Sequence, residues 1–239
     1  MSLEIEVVDD PACACSAMLV GAATQGGHIV LAGGSTPKAA YREFVAAVQA
    51  VGVDLSATTF WFGDERCVAP DDDRSNFKMV KESLLDPLGD LCRVKVRRIK
   101  GELGPQGAAE DYERQLRDEG PPEFELVLLG LGPDGHTASL FPDQESLSIR
   151  SRLAFGVPEA GLEPFVPRVT LTLPALAASR RVVFLAAGAA KAQAVRAAFG
   201  RGAPPDPHVP ASLIVPEAQE ITVLLDGPAA QELEGVEHP

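Results

Sequence analysis

The apolar positions of this chain switch repeatedly between a period of two and a helical period, which predicts strands interleaved with helices. Residues 3–8 alternate apolar and acidic side chains, as an edge strand does. Residues 11–25 are alanine-rich and predict a helix, and residues 28–32 form a short apolar strand ending in Gly33-Gly34. A second helix is predicted over 37–50, with Ser35 or Thr36 as N-cap and Pro37 at the first helical position. Strands follow at 58–62 and around 93–99, with helices near 75–85 and 105–119. The run 124–131 is almost continuously apolar, the signature of a strand buried on both faces. Further strands are predicted at 153–157, 168–173, 181–187 and 221–225, with a helix at 189–199 and a polar tail after Pro228.

This order predicts an α/β fold: one catalytic domain spanning residues 1–239, built on a mainly parallel open sheet with helices on both faces. Ligands of such sheets bind beyond the carboxyl ends of the strands. Four of those ends combine glycine with polar or charged residues. They are Gly33-Gly34-Ser35-Thr36-Pro37, Gly63-Asp64-Glu65-Arg66, the stretch from Gly130 to Thr137, and Gly188-Ala189-Ala190-Lys191. They are expected to converge on one crevice.

Composition removes several function classes. The 239 residues hold 21 Lys+Arg against 34 Asp+Glu, a net charge of −13. Nucleic-acid partners need clustered cations, so that balance argues against them, and it repels small anions at long range. Hydrophobic content of 46% with 23% charged residues is that of a globular chain. No apolar run reaches the ~18 residues of a membrane span, and the acidic N-terminus lacks the basic start of a signal peptide. The chain therefore reads as cytoplasmic, with no membrane association, and its sequence leads to no inference of an obligate protein partner. Cys13, Cys15, Cys67 and Cys92 are too scattered for a disulfide framework. Cys13 and Cys15 are two apart and point to different helix faces, so they do not read as a metal pair.

The crevice loops carry the candidate chemistry. Gly33-Gly34-Ser35-Thr36-Pro37 suits an anion site, because glycines admit close backbone approach and helix-start N–H groups point outward. It equally suits an ordinary strand-to-helix turn. Lys191 falls in the first turn of a helix, where the macrodipole disfavours a cation, and an anion at that place would explain it. Gly130-Leu131-Gly132-Pro133-Asp134-Gly135 formally matches a dinucleotide fingerprint. However, Asp134 puts a carboxylate where a pyrophosphate would lie and Pro133 removes a donor. Among the histidines, His28 starts a strand, His208 lies between prolines and His238 is in the tail. Only His136 follows a buried strand into a glycine-rich loop, with Asp134 two residues away. No serine occupies a G-x-S-x-G elbow. A histidine base acting directly on water, with cations holding a phosphorylated substrate, is the reading these residues favour.

Five segments are familiar together: Leu31-Ala32-Gly33-Gly34-Ser35-Thr36-Pro37, the run Phe62 to Val68 through Gly63-Asp64-Glu65-Arg66, Ser75-Asn76-Phe77, the run Leu129 to Pro142 through Asp134-Gly135-His136-Thr137, and Arg168-Val169-Thr170-Leu171-Thr172-Leu173. In this order, from about residue 5 to residue 226, the chain resembles the 6-phosphogluconolactonases of the glucosamine-6-phosphate isomerase/6-phosphogluconolactonase family. The resemblance implies hydrolysis of 6-phospho-D-glucono-1,5-lactone without metal or cofactor. It implies His136 as general base and Asp134 as a group that helps orient or polarise it. It also implies a phosphate site among Gly34, Ser35, Thr36, Arg168 and Lys191, with Arg66 lining the crevice and Asp64 binding sugar hydroxyls or positioning Arg66. Relatives usually carry a Lys-Pro-Pro-like segment before the arginine motif, where this chain has the run Gly161 to Pro167. Two other expectations compete: an amino-sugar-phosphate deaminase or isomerase on the same fold, and a non-enzymatic sugar-phosphate sensor. The sensor would need a DNA-binding module that residues 1–25 are too short and acidic to supply.

Overall fold

A computed structural model describes residues 2–89, 93–118 and 123–235. Cys92, Glu119 and His238 lie outside the described residues. The chain runs β1 (Ser2–Val7), α1 (Pro11–Gln25), β2 (Gly27–Leu31), α2 (Ser35–Val51), β3 (Thr58–Phe62), β4 (Asp64–Arg66) and α3 (Asn76–Val80). A π turn (Lys81–Leu85) leads into α4 (Asp86–Leu88), then β5 (Lys95–Arg97), α5 (Gly104–Asp118) and β6 (Phe124–Gly130). The second half supplies β7 (Ala154–Val157), β8 (Arg168–Leu171), α6 (Leu173–Ala177), β9 (Ser179–Ala186), α7 (Ala192–Phe199), β10 (Glu220–Leu225) and α8 (Gly227–Ala230).

Seven strands form one sheet in the order β1-β10-β9-β6-β2-β3-β5, and every neighbouring pair is parallel. From β2 the chain moves outward through β3 to β5, then returns to β6 and moves the other way through β9 to β10. Right-handed crossovers therefore carry α1, α2, α3 and α4 on one face and α5, α6 and α7 on the other. The order reverses between β2 and β6, where a crevice opens beyond the strand ends. Ile29, Val30, Val127, Leu128, Val182, Val183 and Phe184 are fully buried, as double-sided coverage requires.

The expected strands 153–157 and 168–173 do not join this sheet. They form β7 and β8 of a second, antiparallel sheet ordered β4-β8-β7, and β4 itself is a strand where only a loop was expected. Three residues reading Asp64-Glu65-Arg66 show no apolar alternation, so nothing in their pattern announces a strand. The expected cap at Ser35 or Thr36 is also corrected. The helix already begins at Ser35, Pro37 sits third, and the cap is Gly34, whose φ of 110° needs a residue without Cβ. The polar tail starts later than Pro228, because Ala229 and Ala230 of α8 are fully buried. Two alanines are too small to register as an apolar run.

Two buried tyrosines fix the strand ends that feed the crevice. The Tyr41 hydroxyl accepts from the Ala32 N–H at 2.9 Å and donates to the Ala32 carbonyl at 2.8 Å. Tyr112 does the same for Phe62, at 2.8 and 3.0 Å. Each hydroxyl satisfies the last buried backbone groups before a site loop turns away. Tyr112→Phe is expected to lower stability by about 1–3 kcal/mol, as an unpaired buried amide and carbonyl would cost, read from urea unfolding. Among the described residues no helix is long and apolar enough to cross a membrane.

Candidate active site

The crevice at the sheet's reversal point is a cleft of about 230 Å³. That is below the ~300–1,000 Å³ of pockets for drug-sized ligands and suits one small polar molecule. All four expected strand ends meet there: Gly33 and Gly34, Gly63, Asp64 and Arg66, Gly130 to Pro133 with His136, and Lys191 line it. Arg168, Leu162 and Glu163 join them from the chain around β8. Ser35 and Thr36 do not line the cleft but stand at the start of α2 beside it, where they offer N–H groups with no side-chain cap.

His136 is held from two sides. Its Nδ1 lies 2.5 Å from Asp134 Oδ1, and the His136 main-chain N–H donates to the same oxygen at 3.2 Å. A carboxylate at Nδ1 places the proton on that nitrogen and leaves the Nε2 lone pair for chemistry. Burial works to raise the Asp134 pKa, but the hydrogen bonds and charge of His136 outweigh it, so the carboxyl stays below its ordinary range. The Phe141 ring lies 4.9 Å from the imidazole between centroids, tilted by 41°. No helix follows this loop, and Asp134 is spent on His136, so the dinucleotide reading fails in the fold as it did in the sequence.

Three cations line the cleft, and among the described residues none has a carboxylate at ion-pair distance. Arg66 and Arg168 stand directly opposite each other in the β4–β8 pair. Like charges in that position destabilise a sheet by up to about 1 kcal/mol, and an anion between them removes the penalty. Arg66 donates from Nη1 to the Arg74 carbonyl at 2.5 Å, while its buried Nε has no partner among the described residues. Burial lowers the pKa of Arg168 and of Lys191, and Asp64 and Asp134 respectively offset part of that. Of the neighbouring acids, Asp72 pairs with Arg74 at 2.7 Å. The Lys191 loop is anchored from the chain's end, where the Asp226 carboxylate accepts from Gly188 N–H at 2.9 Å.

Asp64 is buried and accepts from Ser139 Oγ at 2.6 Å and from Asn76 Nδ2 at 3.0 Å. Asn76 also lines the cleft, and a Cβ on Gly33 would lie 2.0 Å from its Oδ1, so Gly33 must be glycine for that approach. Glu65, between Asp64 and Arg66, is buried under four donors: Arg66 N, Asn76 N and Phe77 N at 2.7 Å and Ser75 Oγ at 3.0 Å. Asn76, Ser139, Phe141, Leu162 and Glu163 had no role assigned from sequence. The sequence signals for them were the Ser75-Asn76-Phe77 motif, the run Leu129 to Pro142 that holds Ser139 and Phe141, and the departure at Gly161 to Pro167 that holds Leu162 and Glu163. Ala138 lines the cleft with a φ of 48°, a left-handed conformation costly for a residue with Cβ.

The other candidates disperse. His208 is exposed and paired with Asp143 at 3.0 Å, and His28 Nδ1 accepts from Trp61 Nε1 at 2.8 Å. Cys13 is exposed and Cys15 buried, so the two do not face one ligand, and burial pushes the Cys15 thiol up to about 12 and Cys67 to about 11. Among the described residues no group of three or more His, Cys, Asp or Glu is placed to hold a metal ion.

The chain matches the family described as glucosamine-6-phosphate isomerases/6-phosphogluconolactonase over residues 8–223. It is 38% identical to human 6-phosphogluconolactonase over 206 residues, covering 84% of this chain and 78% of that protein. It is 38% identical to the 6-phosphogluconolactonase of Synechocystis sp. over 214 residues, 87% of this chain and 85% of the relative. The crystal structure of 6-phosphogluconolactonase from Leishmania guyanensis superposes with a TM-score of 0.82 at 29% identity, covering 99% of this chain and 100% of that one. A monomeric glucosamine-6-phosphate deaminase superposes with a TM-score of 0.83 at 19% identity, a likeness of fold alone. With a family match across most of its length and relatives well above 30% identity, this chain belongs to the glucosamine-6-phosphate isomerase/6-phosphogluconolactonase family.

Proposed function

We propose that this protein hydrolyses 6-phospho-D-glucono-1,5-lactone to 6-phospho-D-gluconate, the lactone-opening step of the oxidative pentose phosphate pathway, in the cytoplasm. The observation that carries the reading is the His136–Asp134 pair at 2.5 Å in a cleft walled by three cations without carboxylate partners. His136 Nε2 takes a proton from water as the water oxygen adds to the lactone carbonyl carbon. Loop N–H groups stabilise the oxyanion, a contribution worth ~10²-fold or more per donor. The bond from the carbonyl carbon to the ring oxygen then breaks, and the imidazolium returns its proton to that oxygen. The new carboxylic acid loses its proton to solvent.

The phosphate lies among Gly34, Ser35, Thr36, Lys191, Arg66 and the Nη1 of Arg168. Asp64, held by Ser139 and Asn76, faces the sugar hydroxyls. Lys191→Ala and Arg66→Ala are each expected to raise KM for the phosphorylated lactone about 10- to 100-fold, as a lost charge-assisted hydrogen bond does. KM for D-glucono-1,5-lactone should move less than threefold, and equal shifts for both substrates would remove these residues from the phosphate site. Asp134→Asn should lower kcat by ~10²-fold or more, because an amide no longer fixes the Nδ1–H tautomer. Incubation with glucosamine 6-phosphate tests the assignment against deamination: ammonia release at the lactone-opening rate would overturn it.

A further inference from the structure

Arg168 combines two properties that its charge alone does not explain. It is only 4% exposed, and its guanidinium is committed to the loop that precedes it. Nε donates to the Val166 carbonyl at 3.1 Å, and Nη2 donates to the Leu162 carbonyl at 3.3 Å and the Pro164 carbonyl at 2.8 Å. A rigid planar fork can hold three carbonyls from alternate residues, which a single ammonium cannot span. Nη1 has no partner among the described residues, and Arg168 lines the cleft opposite Arg66. The gripped loop supplies Leu162 and Glu163 to the cleft wall. Its first residue, Gly161, packs so tightly on Phe141 that a Cβ would lie 3.0 Å from the ring. The Arg168 guanidinium itself sits 6.0 Å over the same ring, and Phe141 lies against His136.

We propose that Arg168 is a positioning residue through which occupancy of the anion site sets the catalytic base. Nη1 meets the phosphate, Nε and Nη2 hold the Leu162–Val166 loop, and loop and guanidinium together seat Phe141 against the His136 ring. The inference rests on the lactonase reading. It makes the phosphate a contributor to kcat as well as to KM, because binding energy from a remote group is used to order the reacting centre. The contacts from the anion site to the imidazole are contiguous, so no long-range transmission is invoked.

The test separates the phosphate from the lactone. D-glucono-1,5-lactone, which lacks the phosphate, is hydrolysed by the wild-type enzyme with increasing inorganic phosphate, subtracting enzyme-free blanks at each concentration. Saturable activation of about tenfold is expected. Arg168→Lys keeps a cation but cannot grip three carbonyls, and should be activated less than twofold. Phe141→Leu leaves Arg168 intact and breaks the link to His136, so it too should lose activation while phosphate still competes with the phosphorylated lactone. If Arg168→Lys does not fold, Phe141→Leu decides. Absence of activation in the wild type, or undiminished activation in Phe141→Leu, would overturn the proposal. Wild-type turnover of the phosphorylated lactone is read in parallel, so failure of the lactonase reading shows separately.

Discussion

Replacing His136 with alanine is expected to lower kcat for 6-phospho-D-glucono-1,5-lactone by about 10³-fold or more, to the level of spontaneous hydrolysis, while binding of the phosphorylated product survives. General-base catalysis supplies about 10²–10⁴ in rate, and among the described residues His136 is the only imidazole that lines the cleft. Asp64 already accepts from Ser139 and Asn76, and Asp134 is not among the residues that line the cleft. The cations Arg66, Arg168 and Lys191 sit on other segments, so removing one imidazole leaves the proposed anion site built. The two halves are read independently: kcat from initial rates above the blank, and binding from calorimetric titration with 6-phospho-D-gluconate. Turnover near that of the wild type in the alanine variant would remove His136 from the mechanism.

The second large effect is expected from a residue that has no side chain to offer the substrate. A Cβ on Gly132 would lie 2.0 Å from His136 Nδ1, 2.3 Å from its Cε1 and 2.5 Å from Asp134 Oδ1. Those separations are far inside van der Waals contact, so Gly132→Ala must drive the imidazole and carboxylate apart. The loop cannot simply retreat, because the Gly132 N–H donates to the His136 carbonyl at 2.8 Å and the Thr137 hydroxyl donates to the Gly130 carbonyl at 2.8 Å. Misplacing a catalytic group by about 1 Å costs on the order of 10²-fold. The expected result is a kcat lowered by about that factor with KM changed less than threefold. A variant with unchanged kcat would show that the close His136–Asp134 contact is dispensable.

Gly132 also illustrates what the sequence made legible. As a string it belongs to a near-match for a nucleotide loop, and Pro133 and Asp134 were enough to reject that reading. The positive reason for the glycine, space for a His–Asp pair, exists only once the loop is folded. The parallel strands were readable because β2, β6 and β9 each carry a run that is buried on both faces and apolar: residues 29–31, 126–129 and 182–186. β4 was not readable, since three charged or acidic residues gain strand geometry only by pairing with β8, about a hundred positions away in sequence. The start of α2 was misjudged because Ser35 and Thr36 are good caps by type, while Gly34 alone can take the backbone angle that the turn requires. Arg168 was legible as a cleft cation, but its grip on Leu162, Pro164 and Val166 depends on a loop with no periodic pattern.

The net charge of −13 takes on a narrower meaning beside this geometry. A protein so acidic does not attract a phosphorylated substrate by its overall field. On the proposed reading, capture depends on local contacts at Arg66, Arg168 and Lys191, which line one small cleft, and at the start of α2 beside it. The product carries one more negative charge than the lactone, so weaker binding of the product than of the substrate is the expected result of a binding comparison.

The most direct measurement of the central claim is a single progress curve with freshly generated 6-phospho-D-glucono-1,5-lactone, followed by proton release in weak buffer with the spontaneous rate subtracted. The expected result is an initial rate proportional to enzyme concentration that falls to the blank in His136→Ala. A wild-type trace indistinguishable from the blank would contradict the assignment of this cleft as a lactone-hydrolysing site.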